Sequence, residues 1–424
     1  MLTCIAITGC GASARAHRRR PLPPAPVAAV PVRAMPVPSA VLRLRAKLER
    51  VWRLAGPASG AAVYDLTTHT PLFGLRDADK RAPASIEKLY TSVALLRRLG
   101  ANARLRTTVL GAGHLGRDGV WHGDLYLRGG GDPTFGDAGF NRIFELGYGA
   151  TQAQLTEQLA GAGIRRVSGA VVGDESLFDA RRGGPASAYA PDIPDFGGEL
   201  SALSSDHGAS GRLAPPAFAA NQLALTMRRA GIRTVASALS GITPPGARRL
   251  AVVSSPPLSV LLKLMNVPSD DLFAELLTKQ LGARFADAGS TEAGAGVIAD
   301  AIREGYGLYP RIRDGSGLSR TDGSSPREVL DLLRSVWRTP VGHVLSASLP
   351  IVGITGTVRR IARGTPAEGR CSAKTGTLNG VTNLAGYCTG RGHHTVAFAL
   401  FDDGLSERRS LALEGRMIAT IAGS

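Results

Sequence analysis

Pro83-Ala84-Ser85-Ile86-Glu87-Lys88-Leu89-Tyr90-Thr91 is the stretch on which the reading of this 424-residue chain turns. Ile86, Leu89, Tyr90, Val93 and Leu96 recur at helical spacing and Gly100 ends the pattern, which predicts a buried helix with Ser85 in its first turn. Side chains three apart on a helix are neighbours, so the Lys88 amine reaches the Ser85 hydroxyl, and the positive end of the helix favours an alkoxide there. That is a nucleophile activated without histidine. A lysine acts as a base only where burial or a nearby positive charge brings its pKa down from about 10.4 towards neutrality. Two fixed positions in four residues recur by chance in most chains of this length, so the remaining sequence must supply the rest.

The chain is 44% hydrophobic and 20% charged, the balance of a soluble globular protein with room for two or more domains. Its formal charge of +16 suits a polyanionic partner, but the arginines are scattered and no basic arm with interleaved aromatics stands out, so no nucleic-acid partner is expected. Lysine is scarce, with only Lys47, Lys80, Lys88, Lys263, Lys279 and Lys374 against 44 arginines. Arginine cannot give up its proton in a protein, so lysines kept in candidate motifs suit a base. No uninterrupted apolar run has the length to span a bilayer, and no integral membrane segment is expected.

Residues 1 to 37 read as an export leader and linker. Met1 to Gly11 is short and apolar, Arg18-Arg19-Arg20 follows it, and residues 21 to 38 are rich in Pro, Ala and Val. A secretory signal has its charge first, the reverse of this order. Ile7-Thr8-Gly9-Cys10 resembles the lipobox of bacterial lipoproteins, which would anchor an exported protein at Cys10. A helix from Leu42 to Leu54 then leads into two strands, Gly60 to Leu66 and Thr70 to Leu75, joined by a Thr67-Thr68-His69 turn. After the Ser85 helix come short strands, Leu105 to Gly111 and Gly123 to Arg128. The second ends in Gly129-Gly130-Gly131-Asp132-Pro133-Thr134, a tight turn without the spacing of a phosphate loop. As far as residue 254 the pattern is β-rich, broken by one helix, Thr151 to Ala162. Asp206-His207, in a Ser/Gly loop, reads as a surface histidine more readily than as half of a triad.

The helical pattern returns at Leu258 to Met265. In Pro268-Ser269-Asp270-Asp271-Leu272, Ser269 is a natural N-cap and the two aspartates complement the helix dipole. Asp314-Gly315-Ser316-Gly317-Leu318-Ser319 is a glycine-rich turn, and Ser325 starts a helix over Pro326 to Trp337. Cys371 to Leu378 and Val381 to Cys388 flank Asn379-Gly380, the strongest short hairpin signal. If the loop is those two residues, partners sum to 759 and Cys371 falls opposite Cys388 at a non-hydrogen-bonded site, where a disulfide can form and would imply an oxidising compartment. Thr395 to Phe401 adds a strand, and a helix over Glu407 to Ala422, capped by Ser406, closes the sheet.

Ser85-x-x-Lys88, Ser269-x-Asp271 and Lys374-Thr375-Gly376 thus stand in order on helix, helix and strand. The combination resembles the penicillin-recognising serine family of S-x-x-K, S-x-N and K-T-G. With a large insert between the first two motifs it is similar to the D-alanyl-D-alanine carboxypeptidase/endopeptidase family, peptidase S13 or penicillin-binding protein 4 type. Further supporting stretches are Gly123 to Leu127, Gly131-Asp132-Pro133-Thr134, Asp314 to Arg320, Gly353-Ile354-Thr355-Gly356-Thr357 and Asn383-Leu384-Ala385-Gly386-Tyr387. Together they cover residues 45 to 420.

The resemblance implies an α/β (α+β) chain. A penicillin-binding transpeptidase-like domain, an antiparallel sheet flanked by helices, would comprise 38–104 and 255–424, with 105–254 as a β-rich insertion. It implies a bacterial cell-wall hydrolase, a serine-type D-Ala-D-Ala carboxypeptidase/endopeptidase working on peptidoglycan stem peptides through an acyl-enzyme, with no cofactor or metal and with β-lactam antibiotics as covalent inhibitors. The protein would be exported to the periplasm or extracellular wall. Ser85 would attack, Lys88 would take its proton, and Ser269 would relay a proton to the leaving amine. Lys374 and Thr375 would hold the terminal carboxylate beside Gly376, and the Ser85 and Thr377 N–H groups would form the oxyanion hole.

Asp271 departs from the family asparagine. An ionised aspartate only accepts hydrogen bonds, and its charge favours protonated Lys88. The expectation is a working but tuned enzyme in which Asp271→Asn lowers acylation. The alternatives are a serine β-lactamase-like hydrolase and a catalytically impaired peptidoglycan-binding protein.

Overall fold

The computed structural model describes residues 39–208, 212–235 and 238–424. The leader reading of residues 1–37, Cys10 included, lies outside them. Eleven strands among the described residues fall into two sheets. They are β1 (Gly60–Asp65), β2 (Thr70–Leu75), β3 (Arg106–Leu115), β4 (Val120–Arg128), β5 (Arg166–Val167), β6 (Val171–Asp174), β7 (Leu239–Ser240), β8 (Arg248–Ser254), β9 (Cys371–Leu378), β10 (Val381–Thr389) and β11 (Thr395–Asp403).

The first sheet has the order β2-β1-β11-β10-β9 and every pairing is antiparallel. Leu378 lies opposite Val381, so the loop is Asn379-Gly380, with Gly380 at φ +77 supplying the left-handed position such a turn needs. The same register sets Cys371 opposite Cys388, and the two are joined by a disulfide. Period-two alternation divides the side chains between two cores. Leu384, Phe398 and Leu400 pack with Trp52, Leu413 and Met417 from the helices Ser39–Trp52 and Glu407–Ala422. Ala385, Tyr387, Ala399 and Phe401 face the helices Glu87–Leu99, Asp271–Phe285, Thr291–Tyr306 and Pro326–Val336. Phe398 and Phe401, each fully buried, serve opposite cores and contribute about 2 kcal/mol apiece. A one-residue slip would send both to the wrong layer, which fixes the register of β11 in the middle of the sheet.

The second sheet, β7-β6-β4-β3-β8 with β5 beside β4, lies wholly within residues 106–254 and mixes parallel and antiparallel pairs. Its apolar face, with Trp121, Leu125 and Leu127, packs on the helices Gln152–Gly161 and Pro215–Arg229. The second of these, like the short helix Ala138–Phe144, differs from the expectation of a single helix here. Pro215-Pro216 reads as a breaker, yet it fills first-turn positions where no N–H is needed, and Ala219, Leu223, Ala224 and Met227 form the stripe behind it. No helix of the described residues is long and apolar enough to cross a membrane.

Candidate active site

The helix that carries Lys88 begins at Glu87, and Ser85 sits one turn earlier in a 3₁₀ turn over Ala84–Ile86. This tighter turn replaces the α-helical start expected from the sequence. Ala84, just before the nucleophile, has φ +49, a left-handed conformation that costs a non-glycine residue about 1 kcal/mol or more. Three contacts hold it. Asn383 Nδ2 donates to the carbonyls of Ala82 (3.1 Å) and Pro83 (2.9 Å). Gly317 lies so close that a Cβ there would fall 2.0 Å from the Ala84 carbonyl oxygen. Gly376 closes the other side, since a Cβ would meet the Pro83 carbonyl oxygen at 2.6 Å. Glycine at 376 lets β9 lie directly against the nucleophile turn.

Lys88 is fully buried, and each of its three ammonium donors has an acceptor: Ser85 Oγ at 3.0 Å, Asp271 Oδ1 at 2.5 Å and the Ser316 carbonyl at 2.7 Å. The S-x-x-K pair therefore meets as its spacing predicts, and Asp271 ion-pairs with the lysine directly. Asp271 opens the helix Asp271–Phe285, whose N-cap is Asp270, accepting from the Phe273 N–H at 2.8 Å. This corrects the expected cap at Ser269. Ser269 instead stands outside the helix at φ +68, with its hydroxyl accepting from Lys374 Nζ at 2.7 Å. A cap role would have spent that hydroxyl on the backbone.

Lys374 is also fully buried, but its partners are the Ser269 hydroxyl and the Thr375 carbonyl (2.9 Å), with no carboxylate bonded to it. Burial, and then the nearby Lys88 charge, push its pKa well below the usual lysine range, and Asp271 opposes them. One of its donors remains unfilled. Thr375 Oγ1 donates to Thr357 Oγ1 at 2.8 Å.

β9 is an edge strand, and its register decides which amides are free. Leu378 and Val381 close a two-residue hairpin as a hydrogen-bonded pair, so Gly376 and Lys374 bond to β10, while Thr375 and Thr377 turn their N–H groups to the open edge. The turn that carries Ser85 packs against Gly376 of this strand, between Pro83 and Ile86.

Sequence reasoning missed the groups that hold this arrangement. Glu275, one turn beyond Asp271 on the same helix face, accepts from the N–H groups of Gly315 (2.8 Å) and Ser316 (2.9 Å). Burial and the nearby Asp314 charge push its carboxyl up to about 7. Asp314 accepts from Gly317 and Ser319, folding the loop so that the Ser316 carbonyl faces Lys88. The four-residue spacing of Asp271 and Glu275 was a readable signal; the backbone carbonyl of Ser316 left none. His207, expected at the surface, has a side chain only 15% exposed, between Phe140 and Phe273 and bonded to Glu145 at 2.7 Å. It is bonded to none of the residues around Ser85. No group of His, Cys, Asp and Glu among the described residues is arranged to hold a metal ion.

The sequence profile of the D-Ala-D-Ala carboxypeptidase 3 (S13) family matches residues 43–210 and 195–422. A D-alanyl-D-alanine carboxypeptidase of Actinomadura sp. (strain R39) is 28% identical over 458 residues, covering 87% of this chain and 82% of that one. The crystal structure of penicillin binding protein 4 (dacB) from Haemophilus influenzae superposes with a TM-score of 0.73 at 22% identity, covering 87% of this chain and 97% of that one. A predatory endopeptidase from Bdellovibrio bacteriovorus, solved acylated by penicillin G and in complex with an immunity protein, gives a TM-score of 0.51 at 20% identity, covering 85% and 90%.

Proposed function

The chain belongs to the D-Ala-D-Ala carboxypeptidase 3 (S13) family of serine peptidases, and on that premise we propose how its residues divide the work on peptidoglycan peptides. The observation that carries the proposal is the Ser85–Lys88–Asp271 chain of contacts beside the free edge of β9. The substrate's terminal peptide lies along that edge. Its carboxylate is held by the unfilled Lys374 donor and by Thr375, beside Gly376, which brings the scissile carbonyl to the Ser85 and Thr377 amides.

Ser85 Oγ attacks that carbonyl as the Lys88 amine accepts the hydroxyl proton. The tetrahedral oxyanion collapses, the C–N bond breaks, and the leaving amine of D-alanine gains a proton through Ser269. Water then attacks the acyl-enzyme, its proton returning to Ser85 as the shortened peptide leaves. A β-lactam follows the first half of this route and remains attached to Ser85. Asp271 stabilises the ammonium that Lys88 becomes. Residues 105–254 are an inserted domain, a division supported by the second sheet lying wholly within them. The enzyme is exported and works in the periplasm or extracellular wall, a reading supported by the Cys371–Cys388 disulfide, with Cys10 as the lipid attachment of an anchored form.

The test is release of free D-alanine from a diacetylated Lys-D-Ala-D-Ala peptide. Turnover by the wild type, abolished in Ser85→Ala, supports the assignment. Binding of the peptide without any release would instead favour the impaired wall-binding reading that Asp271 raises.

A further inference from the structure

His207 is tied to both ends of the short helix Ala138–Phe144. Its neighbour Asp206 accepts from the Asp137 N–H at 2.7 Å, and Asp137 caps the helix by accepting from the Gly139 N–H. Glu145, which ends the helix, is only 3% exposed and meets His207 Nε2 at 2.7 Å. The loop that presents the ring is held in an unfavourable shape, with Asp206 at φ +51 and His207 at φ +61, left-handed values that residues other than glycine rarely adopt. Glycines let the chain close on it from two sides. A Cβ at Gly198 would fall 1.6 Å from the His207 carbonyl oxygen, and one at Gly136 2.3 Å from Asp206 Oδ1.

On its other side the ring meets the helix that carries Asp271. It lies edge to face with Phe140 and with Phe273, at centroid distances of 5.2 and 5.8 Å. Phe273 is buried, and its N–H is the one that Asp270 caps. Asp271 lies between those two residues and bonds Lys88. Both ends of the turn that holds Asp271 therefore answer to His207, Phe273 through ring contact and Asp270 through charge. Burial works against charge on the ring, but the bond to Glu145 and then the Asp270 and Asp206 carboxylates outweigh it, and the His207 pKa stands above the ordinary histidine value. A buried ion pair adds little net stability compared with apolar side chains of the same size, so stability alone does not account for a strained loop and a buried carboxylate at this contact.

We propose that His207, held by Glu145, is a positioning residue for acylation: it docks residues 137–208 on the first turn of the helix Asp271–Phe285 and keeps Asp271 in reach of the Lys88 ammonium. The proposal rests on the reading that Lys88 is the base in the attack by Ser85. His207 touches no reacting atom and acts through the placing of one carboxylate. A displacement of about an ångström at such a group costs up to about a hundredfold in rate.

The test is a double-mutant cycle on the full-length protein, read by stopped-flow acylation with benzylpenicillin, which separates the acylation rate constant from the dissociation constant, with thermal melting alongside. His207→Ala should lower the acylation rate constant about tenfold and leave the dissociation constant within about twofold. In an Asp271→Ala background, with no carboxylate left to position, the same change should cost less than about twofold. Glu145→Ala should follow His207→Ala, and Glu145→Gln, which keeps the hydrogen bond, should stand within about threefold of the wild type. If His207→Ala does not fold, Glu145→Ala in the two backgrounds decides. Equal losses in both backgrounds would mean a part in the fold alone and would overturn the proposal, as would a loss confined to the dissociation constant or an unchanged rate in His207→Ala. Failure of the parent reading would show separately, as a wild type that benzylpenicillin does not acylate.

Discussion

Lys88 and Lys374 are two lysines buried to the same degree in one site, yet their surroundings are opposite. Lys88 has a carboxylate at 2.5 Å and all three donors filled, whereas Lys374 has only a hydroxyl and a carbonyl, and a donor to spare. A buried charge without a counter-ion costs several kcal/mol, and this cost is what pushes the Lys374 pKa down. An incoming carboxylate removes it. The Lys374 end is thus incomplete until substrate arrives, while the Lys88 end is complete beforehand. On the proposed reading, one is a binding site and the other a poised acid–base pair.

Replacing each lysine should separate the two ends. Lys88→Met should slow acylation by about a thousandfold, within the range general acid–base groups supply. It should also destabilise the fold by about 2 kcal/mol, because Asp271, partly screened by solvent, loses its counter-ion. Lys374→Met should cost about fiftyfold in kcat/KM for a D-Ala-D-Ala peptide, the loss of one charged hydrogen bond, while thermal stability stays level or rises. Stopped-flow acylation with thermal unfolding reads both, and equal stability losses would erase the contrast.

Asp271→Asn tests the completed end more finely. Asparagine keeps a hydrogen bond to Lys88 but no charge to stabilise its ammonium, so acylation should fall about tenfold, or about 1.4 kcal/mol. Faster acylation would mean that the aspartate is a defect rather than a tuning of the site.

Away from the site stands a mirror image of Lys374, a buried acid without a cation. Burial pushes the Asp132 carboxyl up to about 6, against hydrogen bonds from Thr134. Its folded pKa exceeds the unfolded one, so the folded state holds more protons between about pH 4 and 6 and stability falls as pH rises through that window. In Asp132→Asn this contribution disappears. The variant should gain on the wild type across pH 4 to 6 by up to about 3 kcal/mol, at about 1.4 kcal/mol per unit, and the gap should stay constant above it. A gap independent of pH in paired melting curves would contradict this.

How far the sequence revealed these ends depended on how local their contacts are. Ser85 and Lys88 are three residues apart, and Asn379-Gly380 fixes the β9 register within one hairpin, so both were legible, and the disulfide with them. Ser269 read as the cap of the helix that follows, and only its bond to Lys374, 105 positions on, shows that it serves the site while Asp270 caps. Asn383 supports the nucleophile turn from 300 residues away and had no local pattern to betray that contact, whereas Glu275, which holds a loop 40 residues on, stood in readable register with Asp271 on one helix face. His207 looked exposed because its neighbours in sequence are small and polar, while Phe140, Phe273 and Glu145 cover it from elsewhere.

The most direct test of the central claim, that Ser85 is the nucleophile of a poised Lys88 end, is intact mass after incubation with excess benzylpenicillin, for the wild type and Ser85→Ala, followed by peptide mapping. The account predicts one stoichiometric adduct on the wild type, on the peptide containing Ser85, and none on the variant. An adduct on both proteins, or on neither with the drug intact, would contradict it.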